Sequence, residues 1–125
     1  MSLRHQEVCF GCGRANLFGL LLELQETAPG VLSGRCFIKQ DHQGPIPGHA
    51  HPGILATALI EAMTLAAGAE FRLEEVVLEL EAQASVGTFL TLRAELDSTT
   101  VRAAASSDHD QVASARGRLK PCRSA

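Results

Sequence analysis

The chain has 125 residues, 46% of them apolar, which argues for one domain around one core and against global disorder. Aromatics make up 4%, with no Trp or Tyr, and the formal net charge is −3. Stacking platforms and clustered positive charge are therefore lacking, and nucleic acid is excluded as the expected partner.

The start, MSLRHQEVCFG, has no continuous apolar stretch of the kind a secretion signal carries. A cytoplasmic protein with no membrane partner is the expectation. Residues 1–18 read as a loop-like segment holding Cys9-Phe-Gly-Cys12-Gly13 and Asn16. From Leu20 to Glu26 the pattern alternates, with Leu20, Leu22 and Leu24 on one face, which predicts a strand. Ala28-Pro29-Gly30 signals a turn, and Val31 to Ile38 predicts a second strand, so the two form a hairpin. Residues 39–50, KQDHQGPIPGHA, are rich in Gly and Pro and read as a loop.

The run ILATALIEAMTLAAG follows His51-Pro52-Gly53. It is apolar nearly all round, and Glu61 is its one charge. A helix of this kind must be buried on most sides. Pro52 suits the first helical turn and Gly68 the stop. A helix over 52–67 would be roughly 24 Å long, and it is too short for a confident membrane span. Glu70 to Glu75 reads as a polar connection or a short extra helix. The period then becomes two. Val76, Leu78, Leu80, Ala82 and Ala84 form one inward row. After a break at Val86-Gly87, Leu90, Leu92, Ala94 and Leu96 form another. Val101, Ala103 and Ala105 follow between the turns at Asp97-Ser98 and Asp108-His109-Asp110. Gln111 to Leu119 is the last predicted strand, with Arg116 and Arg118 on its outer face. The class is α+β, and short turns imply antiparallel pairing through the second half.

This order, two strands, a central helix, then an antiparallel meander, resembles the hotdog fold. Its thioesterase branch, with acyl-CoA thioesterases and PaaI-like proteins, resembles this chain at several motifs. Cys9-Phe-Gly-Cys12-Gly13-Arg-Ala-Asn16-Leu-Phe-Gly19-Leu20 is similar to a C-x-x-C-G…N-x-x-G-L signature. His51-Pro52-Gly53-Ile54-Leu55-Ala56-Thr57-Ala58-Leu59-Ile60-Glu61-Ala62-Met63 is similar to the helix entrance H-G-G-I-L-A-T-L-L-D-E-A-M. Asp41-His42-Gln43-Gly44 resembles the approach to that entrance, and Val86-Gly87-Thr88-Phe89-Leu90-Thr91-Leu92 resembles V-G-D-x-L-x-L. The resemblance implies a single hotdog domain over 1–125: a long helix wrapped by a curved antiparallel sheet of about five or six strands.

It also implies a site. Thioester hydrolysis needs a carboxylate as nucleophile or base, and a donor for the developing oxyanion. In the resembling family the carboxylate lies nine positions after the His, and the donor is the N–H of the first Gly after it. Here those positions hold Ile60 and Pro52. Ile cannot titrate and Pro has no N–H. The expectation is a protein that binds acyl-CoA or another acyl thioester and hydrolyses it weakly or not at all. Gln43, His51, Pro52, Gly53 and Ile60 would line the slot, and Arg116 and Arg118 would meet the phosphates of coenzyme A. Coenzyme A enters as part of the ligand, with no separate cofactor.

Two alternatives stay open. Glu61 could act as base with the Gly53 N–H as oxyanion donor, giving an active hydrolase. Or the chain could be a non-catalytic dimer module. Glu61 falls in a polar stripe with Thr57 and Thr64, at spacings of four and three, facing a wet seam, a partner subunit or a dry pocket. No bound metal is expected. His49 and His51 make an H-x-H pair with no third ligand at suitable spacing, and Cys9 and Cys12 read as a thiol-lined turn. A site completed by His5 or by another subunit stays open. An all-apolar helix beside one short sheet calls for a second copy, so a homodimer is the minimum and a homotetramer is allowed.

Overall fold

The helix lies where the apolar run put it. The computed structural model describes residues 2–122. Helix α1 spans Pro52–Ala67, capped by an extended His51 at one end and by Gly68, at φ 82°, at the other. That positive φ is open to glycine at little cost and strained for other residues.

Six strands follow the turn chemistry: β1 (Glu23–Ala28), β2 (Val31–Phe37), β3 (Phe71–Leu80), β4 (Phe89–Asp97), β5 (Thr100–Ser107) and β6 (Asp110–Pro121). They form one antiparallel sheet in the order β1-β2-β4-β5-β6-β3. The sheet curves round α1, which packs on β4, β5, β3, β6 and β2. This is the hotdog arrangement.

The inner face is built from period-two rows. Leu90, Leu92 and Ala94 on β4, Val101, Ala103 and Ala105 on β5, and Ala113 and Ala115 on β6 are all buried. Alanines on the strands face a helix whose own buried side includes Ala58, Leu59, Ala62 and Met63. Small residues on both sides let helix and sheet approach closely, while Leu59 and Met63 fill the space between.

Several local expectations need correction. The first strand begins at Glu23 rather than Leu20, because Leu21 takes a positive φ of 52° that no strand admits. Leu20 and Leu22 are buried all the same. The segment after α1 is neither a connection nor a helix: β3 starts at Phe71. A bulge between Leu73 and Glu75 shifts its inward row, so Phe71, Leu73 and Val76 pack against the core. Leu78 and Leu80, expected inward, are exposed. Ala82 to Ala84 is not strand. It runs beside the loop before α1, where Ala84 O accepts the Ala50 N–H at 2.8 Å. Finally, only β4, β5 and β6 form a meander. β3 pairs with β6 and carries a second edge with no strand beside it among the described residues.

These faces set a contrast between adjacent helix positions. Leu59 is fully buried and Ile60 is 37% exposed. Leu59→Ala should cost about 2–5 kcal/mol. Ile60→Ala should cost under about 1 kcal/mol in the monomer. Urea unfolding of the two variants checks both values.

Candidate functional site

The approach to α1 is a loop that folds back on itself. A short 3-10 turn, Gln40–His42, leads into a bridge between Gln43 and Ala50. His51 N–H donates to His42 O at 2.8 Å and Gly44 N–H to His49 O at 3.0 Å. The Gln43 side chain holds the bend. Its Oε1 accepts the Gly48 N–H at 2.7 Å, and its Nε2 donates to Gln40 O (3.2 Å) and Oε1 (3.0 Å). His42 is buried at 4% exposure. Its Nδ1 accepts the Lys39 N–H at 3.0 Å, so the proton sits on Nε2. Nε2 has no hydrogen-bond partner among the described residues. Burial, then the Lys39 charge, lowers the His42 pKa below its ordinary 6.5.

At the helix start Pro52 offers no N–H. Gly53 N–H donates to His51 Nδ1 at 2.8 Å, the side-chain cap of α1. The oxyanion donor expected at Gly53 is therefore engaged by its own neighbour. His49 Nδ1 lies 3.1 Å from Pro47 O, so both histidines of the H-x-H pair turn a ring nitrogen to their own local backbone. Thr57 hydroxyl donates to Gly53 O at 2.7 Å. Thr57, Ile60 and Thr64 lie along the side of α1 that the sheet leaves open.

Glu61 points elsewhere. Its side chain, 12% exposed, lies under the N-terminal loop of its own chain. Oε2 is 2.8 Å from His5 Nδ1 and accepts the Cys9 thiol at 3.3 Å. Cys12 Sγ is 3.6 Å from His5 Nδ1 and accepts the His5 N–H at 3.0 Å. Burial first, and Glu61 second, push the Cys12 thiol up to about 12. The polar stripe expected through Thr57, Glu61 and Thr64 is thus split, with Glu61 covered by residues 5–12. Eight residues separate Gly53 from Glu61, about 12 Å along the helix, so one thioester cannot meet both within one protomer. The sequence did hold a signal for this cluster. His5 stands four residues before Cys9-x-x-Cys12, and one carboxylate stands on an otherwise apolar helix.

Arg116 and Arg118 lie on the outer face of β6, away from α1. Arg118 is held by Glu74 at 3.0 Å and Glu75 at 3.6 Å. Arg116 stands directly across from Arg102 on β5 and Val77 on β3. Neither Arg102 nor Arg116 has a carboxylate within 4 Å among the described residues. They border an outer-face groove of about 340 Å³ with Val77, Glu79 and Ser114. The structure does not bring these arginines to the helix entrance of the same protomer. Lys120 Nζ is 3.9 Å from Glu74, and Arg123 lies outside the described residues.

No family model matches the chain, and no curated protein sequence matches it at a significant level. Solved structures do. The PaaI protein of Escherichia coli, from the phenylacetic acid degradation operon, superposes with a TM-score of 0.74 at 15% identity, covering 83% of this chain and 81% of that one. A hypothetical thioesterase from Streptococcus pneumoniae, solved with coenzyme A, gives 0.71 at 15% identity, over 81% and 85%. A phenylacetic acid degradation-related protein from Ralstonia eutropha gives 0.71 at 19% identity, over 80% and 84%. At such identities the likeness shows the shared hotdog fold.

The buried His42 makes a pH prediction. Folded His42 resists protonation more than unfolded His42 does. As pH falls below 6.5 the unfolded chain binds more protons, and stability falls with it. Melting temperatures followed from about pH 8 to about pH 5 should drop less in His42→Gln than in the wild type.

Proposed function

We propose that this protein binds acyl-CoA or another acyl thioester in the slot beside the start of α1, at the junction of two copies, and hydrolyses it weakly or not at all. The observation that carries this reading is the state of the helix start. Pro52 has no N–H, the Gly53 N–H is bonded to His51 Nδ1 at 2.8 Å, and Ile60 stands where a carboxylate would serve. A slot so furnished can take an acyl chain but offers little to a developing oxyanion. The fold supports the ligand class, since one structure of this fold was solved with coenzyme A. Arg116, with no carboxylate partner within 4 Å among the described residues, suits a phosphate better than Arg118, which two glutamates hold.

A hydrolase using Glu61 as base fits less well, because Glu61 faces His5 and Cys9 rather than the helix start. The dimer belongs to the reading as well. The free edge of β3 exposes Val77, Leu78 and Leu80, and a second copy extending the sheet there would cover them.

Calorimetric titration should show saturable binding of an acyl-CoA, with little thiol release in the same samples. Rebuilding the two lost positions, Pro52→Gly with Ile60→Asp, should raise thiol release on the order of 100-fold. Rapid multiple turnover by the wild type would overturn the reading, and unchanged turnover in Glu61→Gln would exclude Glu61 as its base. Separately, light scattering should give twice the protomer mass, and Leu78→Lys with Leu80→Lys should reduce it to one.

A further inference from the structure

We propose that His5, Cys9, Cys12 and Glu61 bind one zinc ion, which fastens the N-terminal loop to the middle of α1. These four residues each offer one donor atom, and the four atoms lie within 4.8 Å of one another. His5 Nδ1 is 3.7 Å from Cys9 Sγ and 3.6 Å from Cys12 Sγ. A tetrahedral zinc with ordinary Zn–S and Zn–N bonds sets that edge at about 3.6 Å. Glu61 Oε2, at 3.3 Å from Cys9 Sγ, is close to the edge for sulfur and oxygen. Its 2.8 Å approach to His5 Nδ1 is a hydrogen-bond length and would open by about 0.5 Å around an ion.

The local backbone is shaped to the cluster. His5 N–H donates to Cys12 Sγ, a bond that stabilises a thiolate. Gly13 N–H bonds Cys9 O at 2.9 Å and closes the Cys9–Cys12 turn. At Gly11, inside that turn, a Cβ would fall 2.3 Å from Glu61 Cδ, so only glycine lets the turn sit on the carboxylate. Two thiols, an imidazole and a carboxylate of low exposure make a donor set of borderline softness that suits zinc. Four protein ligands leave no open position, so the role is structural. The loop has reason to need a fastening. Val8, Phe10, Leu17 and Phe18 are all exposed, Phe18 at 81%, so apolar burial holds it weakly.

The test uses the full chain, kept reduced, with zinc and then cobalt as probes. After desalting, elemental analysis should find one zinc per chain. Cobalt should give the strong visible bands of a tetrahedral site and near-ultraviolet bands from two thiolates. Cys12→Ser should lose half of the thiolate bands. It should also weaken binding by more than the roughly 10–100-fold that losing an outer partner costs. Cys122→Ser should change neither. Zinc should slow amide exchange through residues 5–15. Reduced wild-type protein that retains no zinc would overturn the proposal, as would cobalt bands without thiolate character. Binding without slowed exchange would overturn the fastening role. None of these readouts depends on acyl-CoA binding.

Discussion

Everything in this molecule is arranged to bury a helix that has almost no polar surface. The buried residues of α1, from Leu55 to Ala67, meet inner-face rows on β4, β5 and β6. Those rows are mostly alanine near the helix, so the sheet can curve close to it. The same constraint fixes where chemistry could occur. Past its exposed Pro52–Gly53 start, α1 has one exposed residue, Ile60, and three polar side chains, Thr57, Glu61 and Thr64, along the strip left open by the sheet. A ligand, a partner or another part of the chain must use that strip.

The chain's own N-terminal loop already uses part of it. Glu61 is the sole ionisable group on α1, and it lies under residues 5–12. A carboxylate of low exposure is tolerated when several donors face it. Here an imidazole and a thiol do so directly, with Cys12 beside them. Glu61 therefore faces the loop, and the helix start is left with apolar and capped groups.

Much of the fold was legible because its signals are local. Pro52 and Gly68 bracket the helix by their own backbone preferences, the Ala28-Pro29-Gly30 turn announced β2, and alternation and turns marked β4, β5 and β6. What escaped was non-local or hidden by an irregularity. The bulge at Leu73–Glu75 shifts the inward row, so the segment reads as polar linker when it is strand. The pairing of β3 with β6 joins residues about 40 positions apart, and no local pattern announces it. The Glu61 cluster spans more than 50 positions, from His5 to the helix. Its cysteine spacing was visible, but its carboxylate could be found only once α1 was packed against the loop.

The helix start shows how a chain without a free first-turn N–H can still cap its helix. A helix leaves its first N–H groups without intrahelical partners, and an active oxyanion site keeps one of them aimed at substrate. Pro52 removes one such group from the chain outright. His51 Nδ1 takes the N–H of Gly53, and the Thr57 hydroxyl donates to the Gly53 carbonyl. The first bond occupies the N–H of Gly53, and the second satisfies its carbonyl oxygen. The bond at Nδ1 ties the His51 ring to the cap. The polar groups here favour a well-capped helix over a poised one, and the apolar Ile60 beside them continues that preference along the same open face.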